Sequence, residues 1–339
     1  MMVYATHCDS NYVTRVVALE KSLRLNGDTT LLYIIAHEAS TKLQIESLNL
    51  ESTRVVELSE VEGYFPELNR AKANRSKIEY IFCLTPFVVS YASTISDCSL
   101  VIYLDADLYF FAPPKLALEQ IPSSATVSII EHGFHSKFEH LNKYGKFNVG
   151  WMAFRIAKQG NSILEWWKKA CITSTSTLVS DYVYADQKYL DEFPIRFPAT
   201  HINQRQGLNI APWNIENHLQ GAKGSSNLGL ELVFYHFSGL RVYGKITVLG
   251  LSGYSLRLPR KIKKKLYKVY VKSLIEAGDR LNLNPQVDSR RYSFREILKI
   301  IYCRDFILNL QSLQLIPFQP KLALGNRVMK KWTRQVNQN

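Results

Sequence analysis

Residues 99–111, Ser-Leu-Val-Ile-Tyr-Leu-Asp-Ala-Asp-Leu-Tyr-Phe-Phe, set two carboxylates inside an otherwise apolar run that ends at Pro113-Pro114. A short run rich in β-branched and aromatic residues reads as a strand buried on both faces. Unpaired carboxylates inside such a strand would cost several kcal/mol, so Asp105 and Asp107 belong at its open end, where something cationic meets them. In an extended segment residues i and i+2 point to the same side, which lets both acids reach one hard divalent ion. Few protein oxygens and room for phosphate oxygens suit Mg2+ or Mn2+.

Two metal-using chemistries begin with such a pair. One is sugar transfer from a nucleotide donor, in which the ion clamps a diphosphate leaving group. The other is an aspartyl-phosphate phosphohydrolase, in which the first Asp is the nucleophile. The latter wants a small hydroxylic residue two places beyond the second Asp and a chain N-terminus shortly before the first. This chain has Tyr109 there and a hundred residues ahead of the pair. Transfer is therefore favoured, and a non-catalytic sugar-binding or membrane-adaptor role stands as a third reading.

The rest of the chain predicts an α/β fold. Val3–Thr6 reads as a first strand and His7–Asn11 as the polar loop at its end. Tyr12, Val16, Leu19 and Leu23 recur at helical spacing until Asn26-Gly27, and strands are expected near 31–36 and 54–58. Strand, helix, strand in that order predicts a parallel sheet with right-handed crossovers. Ligands of such sheets bind beyond the carboxyl ends of the strands, so Thr6 to Asp9 and the Asp pair can line one crevice. Between them, Arg75 and Lys77 open a helix that Thr85-Pro86 should break or kink, and either cation could hold phosphate or donor-sugar oxygens. Strands are expected at 126–130 and 147–154, the latter with Asn148 at its start and Gly150 where backbone may approach a ligand. Ile163, Trp167 and Cys171 mark an amphipathic helix. Asp186-Gln187 open a further short helix, as an ordinary cap or as site residues. The loop 206–214 should expose Trp213 with Asn209 and Asn214, a set suited to stacking on an acceptor sugar. A strand at 231–235 delivers His236 ahead of a Gly turn, where its imidazole could join the Asp pair.

At 339 residues the chain can bury a sizeable core, and no apolar run reaches the length of about 18 residues that a membrane span requires. The N-terminus enters its first strand without a basic leader, which predicts no secretory signal. The five scattered cysteines, without paired ligand spacing, are expected to be reduced core residues of a cytoplasmic protein. Net charge is informative once located. Residues 1–240 hold 21 basic and 24 acidic side chains, whereas residues 241–339 hold 21 and 5. That shift places a boundary near 245, with a catalytic domain at 1–245 and a basic helical region at 246–339. In the latter, Ile262, Leu266, Val269, Tyr270 and Leu274 fall on one stripe with lysines around it, a pattern that commonly lies on anionic lipid. Basic and aromatic residues recur in 292–308 and at Lys330-Lys331-Trp332. No nucleic-acid module is recognisable.

Taken together, these residues resemble the GT-A glycosyltransferases, in particular the retaining family-8 type that includes lipopolysaccharide galactosyl- and glucosyltransferases and glycogenin. The resemblance covers roughly residues 1–245. It rests on the order of Tyr-Leu-Asp-Ala-Asp at 103–107, Phe-Asn-Val-Gly at 147–150, Ala-Asp-Gln at 185–187 and His-Phe-Ser-Gly at 236–239, with Arg75 ahead of them. It implies a Rossmann-like mixed sheet flanked by helices and a hexosyltransferase using Mn2+ or Mg2+ bound by Asp105, Asp107 and His236. Thr6, His7 and Asp9 would receive the base and ribose, and Arg75, Asn148, Asp186 and Gln187 the donor sugar, with Gln187 and Asp186 as the catalytic residues that stabilise positive charge developing on it. Gly239 would offer an amide near the phosphates. The implied donor is a nucleotide sugar, a UDP-hexose foremost, and the acceptor a bacterial surface glycan or glycolipid at the inner membrane face. One departure is that the family's Lys-Pro-Trp after the His-x-x-Gly is absent, leaving Arg241 or Lys245 as candidate phosphate cations.

Overall fold

The computed structural model describes residues 1–156, 159–219, 232–244, 246–283 and 292–308. Its first strands are β1 (Met2–Cys8), β2 (Leu32–Ala36), β3 (Thr53–Glu57) and β4 (Leu100–Leu104). After β4 come β5 (Leu108–Phe110), β6 (Val127–Glu131), β7 (Phe147–Arg155) and β8 (Thr200–Ile202). All but β5 form one seven-stranded sheet in the order β3-β2-β1-β4-β7-β6-β8. β1 pairs in parallel with both β2 and β4, while β7 runs antiparallel to β4 and to β6. The strand order thus reverses between β1 and β4, the kind of place at which sheets of this type bind ligands beyond the carboxyl ends of their strands.

Alternation explains why the central strands are apolar on both sides. Val3, Ala5, Val101 and Tyr103 enter the core on one face, whereas Tyr4, Ile102 and Leu104 enter that on the other. The helices α1 (Val13–Leu25), α2 (Ala39–Glu46), α3 (Leu58–Tyr64), α4 (Glu67–Asn74), α5 (Lys77–Ser96), α6 (Gln159–Thr173) and α7 (Phe193–Arg196) cover these faces. All five cysteines are buried and unpaired, as expected of core thiols.

Three expectations change here. α5 runs through Pro86 to Ser96 instead of breaking at Thr85-Pro86. A proline inside a helix costs about 3 kcal/mol, but Cys83, Leu84, Phe87 and Val88 are fully buried around it, each worth about 1.5–3 kcal/mol on burial. Second, α5 is long and apolar enough to cross a membrane by length and composition, contrary to the reading of the sequence. Its buried residues nonetheless belong to the core against the sheet.

Third, the basic C-terminal helix is not free to lie on lipid through its apolar stripe. It runs as Arg260–Lys263, a π-turn at Lys264–Lys268 and Val269–Arg280, together α8. The π-turn adds a residue to one turn and rotates the face that follows. Leu266, Tyr267, Tyr270, Val271 and Leu274 therefore point inward with Ile262, and Val269, expected on the stripe, is 40% exposed. The inward face packs on β9 (Phe234–His236) and its neighbours: Phe237 stacks on Tyr270 at 3.9 Å, and the hydroxyls of Tyr235 and Tyr267 are 2.8 Å apart. Glu231, the expected start of β9, and the Lys330-Lys331-Trp332 tail lie outside the described residues.

Beyond α8, β10 (Arg241–Tyr243), β11 (Ile246–Val248) and β12 (Phe306–Leu308) form an antiparallel sheet. The buried Asp305 carboxylate fastens it by accepting hydrogen bonds from the N–H groups of Leu249 (3.1 Å), Leu251 (2.9 Å) and Ser252 (2.8 Å). Asp305→Ala strands these donors and is expected to cost about 3 kcal/mol, read as a lower urea midpoint with an unchanged slope.

Candidate active site

Asp105 follows the last residue of β4, and its N–H donates to the Gly150 carbonyl at 2.9 Å, extending the ladder with β7 by one bond. The chain then turns, with the Leu108 N–H donating to the Asp105 carbonyl at 3.2 Å, before β5 begins. The two carboxylates thus converge across a turn, and not on one side of an extended segment as the sequence suggested. β5 pairs antiparallel with β9, placing Leu108 opposite His236. The Phe237 N–H donates to the Asp107 carbonyl at 3.0 Å, and the His236 N–H to Ile210 at 2.8 Å. This small ladder brings a histidine far along the chain onto the acidic pair.

The His236 Nε2 lies 3.1 Å from Asp107 Oδ1 and 3.7 Å from Asp105 Oδ2. Two carboxylate oxygens and one imidazole nitrogen within 4.8 Å of one another could hold a metal ion. Burial pushes the Asp105 carboxyl up to about 6, with His236 opposing and Asp107 adding to the rise. Burial acts the same way on Asp107, but the His236 charge and hydrogen bond outweigh it and hold that carboxyl below its usual value. For His236, burial favours the neutral ring, yet the two carboxylates prevail and raise its pKa. One positive charge between two negative ones is what this cluster selects, and a divalent cation can take the place of the imidazolium proton. The mixed oxygen and nitrogen donors fit Mn2+ or Mg2+, so the residues present suit the ion the sequence implied.

Gly150 makes this packing possible. The β6–β7 ladder shifts between Ser128↔Ala153 and Ile130↔Asn148, so β7 bulges around Gly150. A Cβ there would stand 2.7 Å from Asn148 Oδ1 and 2.8 Å from His236 Cε1. The glycine makes room for protein side chains, not for a ligand as its position in the sequence suggested.

On the far side of Gly150 lies a chain of amides. Asn148 Oδ1 accepts from the Gly150 N–H at 3.1 Å, which turns its Nδ2 toward His132 Nε2 (3.2 Å) and Gln187 Oε1 (3.3 Å). The Gln187 Nε2 donates to the Tyr144 carbonyl at 3.0 Å. Burial holds the His132 ring neutral with its pKa lowered to about 4, so its Nε2 can accept from Asn148. Gln187 makes no side-chain cap to the 310 helix Lys188–Glu192 that it precedes. Asp186 is buried beside it, its carboxyl pushed up to about 7 by burial, with Asp105 adding and the Thr85 hydroxyl opposing.

At the end of β1, the Thr6 hydroxyl is buried with no hydrogen-bond partner. His7 Nδ1 is 2.9 Å from His37 Nε2, the two rings stacking at 5.1 Å. Asp9 accepts from the Asn11 backbone and side-chain amides and pairs with Lys77 at 3.3 Å. Arg75 lies just ahead of α5, not on its first turn; one guanidinium nitrogen donates to the Ile172 carbonyl at 2.7 Å, and the buried Nη1 has no partner. Gly239 follows β9 with φ +77°, a conformation that suits glycine. Arg241 sits in β10, and Lys245 lies outside the described residues.

The acceptor set expected from the loop at 206–214 is overturned. Trp213 is 4% exposed, its Nε1 donating to the His132 carbonyl at 2.8 Å and its ring set edge-on to His236 at 5.2 Å. Asn209 and Asn214 are buried too, donating to the carbonyls of Glu131 and His132. The aromatic and amide groups that looked suited to a sugar instead build the wall behind the imidazole.

Three residues of this region escaped the sequence reading. His132 directly follows the buried strand β6 and precedes Gly133, a pattern close to the one that singled out His236, and could have been found by it. His37 lies just beyond β2 without a distinguishing pattern. Arg15, buried on α1, reaches the Leu240 carbonyl at 2.9 Å, and nothing in its spacing announces that.

No protein-family model matches the chain. The uncharacterized protein YfnD of Bacillus subtilis (strain 168) is 28% identical over 242 residues, 70% of this chain and 77% of the relative. YfnF of the same strain is 27% identical over 249 residues, 70% and 82% of the two chains. Among solved structures, the galactosyltransferase LgtC in complex with donor and acceptor sugar analogs superposes with a TM-score of 0.51 and 13% identity, covering 81% of this chain and 96% of LgtC. The bifunctional glycosyltransferase WbbM gives a TM-score of 0.51 at 11% identity, over 82% of this chain and 51% of its own. Seven strands in the order described, flanked by helices, and this likeness to LgtC identify the chain as one with the GT-A glycosyltransferase fold.

Proposed function

We propose that the protein is a metal-dependent hexosyltransferase moving a sugar, with retention, from a nucleotide donor, UDP-hexose foremost, to a surface glycan or glycolipid acceptor. The observation that carries this is the Asp105, Asp107 and His236 cluster at the mouth of a GT-A sheet. The phosphohydrolase reading loses its support, since the acidic strand is the fourth of this fold and not the first.

In this reading Asp105, Asp107 and His236 hold the ion, which when bound offsets the negative charge that develops on the leaving diphosphate. Thr6, His7 and Asp9 receive base and ribose. The Arg75 guanidinium, its Nη1 buried, supplies a cation for the sugar or phosphate oxygens. Asp186, whose carboxyl stays protonated to higher pH than usual, can donate a hydrogen bond to a sugar hydroxyl. Asn148 and Gln187 present fixed amide dipoles, the Gln187 oxygen stabilising positive charge at the anomeric carbon. The acceptor attacks from the face the diphosphate leaves, and the departing phosphate takes its proton. Residues 1–245 bind donor and metal, residues 246–339 add acceptor or membrane contacts, and the enzyme works in the cytoplasm at the inner membrane face.

A thermal-shift screen of nucleotide sugars tests this. A true donor at a hundred times its Kd should stabilise the fold by about 2.7 kcal/mol, and should do so only with Mn2+ or Mg2+ present. Equal shifts with and without metal would count against the reading.

A further inference from the structure

We propose that Arg15 is a positioning residue that clamps the loop after β1 to the loop after β9, so that one ligand can bridge the two. Its side chain leaves the first turn of α1 and is 8% exposed. One terminal guanidinium nitrogen donates to the Asn11 carbonyl at 2.9 Å, in the loop that follows β1. The other donates at 2.9 Å to the carbonyl of Leu240, 225 residues further along, in the turn that follows His236 and Gly239. The guanidinium carbon also lies 4.3 Å from the centroid of the Tyr12 ring, a cation–π contact that holds its plane.

Each loop has its own internal fastening. In the first, Asp9 accepts from the Asn11 backbone and side-chain amides, and the Tyr12 N–H donates to the Asp9 carbonyl at 2.9 Å. In the second, the Leu240 N–H donates to the Phe237 carbonyl at 3.3 Å, and Gly250 packs so close that a Cβ there would stand 2.8 Å from the Ser238 carbonyl oxygen. Arg15 adds the bond from one loop to the other. Only a planar fork can hold two carbonyls and lie on a ring at once, which an ammonium on a single stem does not do. Among the described residues no carboxylate pairs with this buried guanidinium, an arrangement that is costly by itself. Its charge reaches the metal cluster instead: burial raises the Asp107 carboxyl, His236 leads the groups that hold it down, and Arg15 comes next. With two neutral carbonyls as acceptors, the arginine keeps its charge for an anion lodged between the loops.

This inference rests on the donor reading above, in which the first loop receives base and ribose and the ion at Asp105, Asp107 and His236 receives the diphosphate. A nucleoside diphosphate then spans both loops and feels the clamp. A nucleoside reaches the first loop alone and does not.

Isothermal titration measures UDP with Mn2+, ligand-observed NMR measures uridine, and hydrogen exchange follows segments 9–12 and 237–240 in the full chain without ligand. Arg15→Met is expected to weaken UDP about thirtyfold, the size of one charge-assisted interaction, with uridine bound as by wild type. Exchange should quicken in both segments together while the strands of the main sheet keep their protection. Arg15→Lys, which keeps the charge without the fork, should recover only part of the UDP affinity. Equal UDP affinity in wild type and Arg15→Met, or a loss of the same size for uridine, would overturn the inference and leave the donor reading standing. Wild-type protein that binds no UDP would count against the donor reading, and exchange would still decide the clamp, since unchanged rates or a change in one segment alone would overturn it. If Arg15→Met does not fold, Arg15→Lys decides, and wild-type UDP affinity with wild-type exchange in that variant would overturn the clamp.

Discussion

Asp107→Ala is expected to lower sugar transfer by about three orders of magnitude or more, with the fold retained. In the proposed reading the carboxylate would give one oxygen to the ion, and at 3.1 Å it fixes the ring of His236. Its loss would remove one proposed ligand and free another. The measurement is donor-dependent release of nucleoside diphosphate at saturating Mn2+, with melting temperature as control. A protein that merely binds sugar would keep its ligand affinity in this variant, and unchanged activity would exclude the metal cluster from the chemistry.

Gly150→Ala is the second large effect and the one most specific to this structure. The new methyl would sit at 2.7–2.9 Å from Asn148 Oδ1 and the His236 ring, distances that real Cβ atoms do not tolerate. His236 has little room to retreat, with Trp213 edge-on behind it and Asp107 ahead. The ring and the amide must both shift, and a misplacement of the order of 1 Å in catalytic groups costs about 10²-fold. The expected result is a fall of that size in turnover together with weaker Mn2+ binding, followed by isothermal titration or by Mn2+ electron paramagnetic resonance. Wild-type metal affinity in this variant would mean that the cluster does not depend on the bulge.

What could be read in the sequence follows from where the information lies. The apolar strands around the sheet were legible because each is a local run with a polar loop after it, and Asp105, Asp107 and His236 stood out as polar residues ending such runs. Spacing cannot say what lies behind a residue. Trp213, Asn209 and Asn214 carry the chemistry of a sugar subsite, yet the strand β6 and the loop after it claim all three, through contacts between residues about eighty positions apart. The stripe on α8 holds for Ile262, Leu266, Tyr270 and Leu274, which face the core and not lipid, while Val269 falls off it because a helical period presumes 3.6 residues per turn and the π-turn breaks that presumption. Pro86 failed for a global reason, in that burial of its neighbours exceeds the cost of a missing hydrogen bond.

The β5–β9 ladder has a consequence for how the protein comes into being. During synthesis the whole seven-stranded sheet can emerge while His236 is still inside the ribosome, and Tyr235 and Phe237 on either side of it wait longer still for Tyr267 and Tyr270 to cover them. The nascent chain therefore lacks the aromatic cover of β9 until α8 is made, and a cut after 245 would strip Tyr267 and Tyr270 from behind the Asp105, Asp107 and His236 cluster.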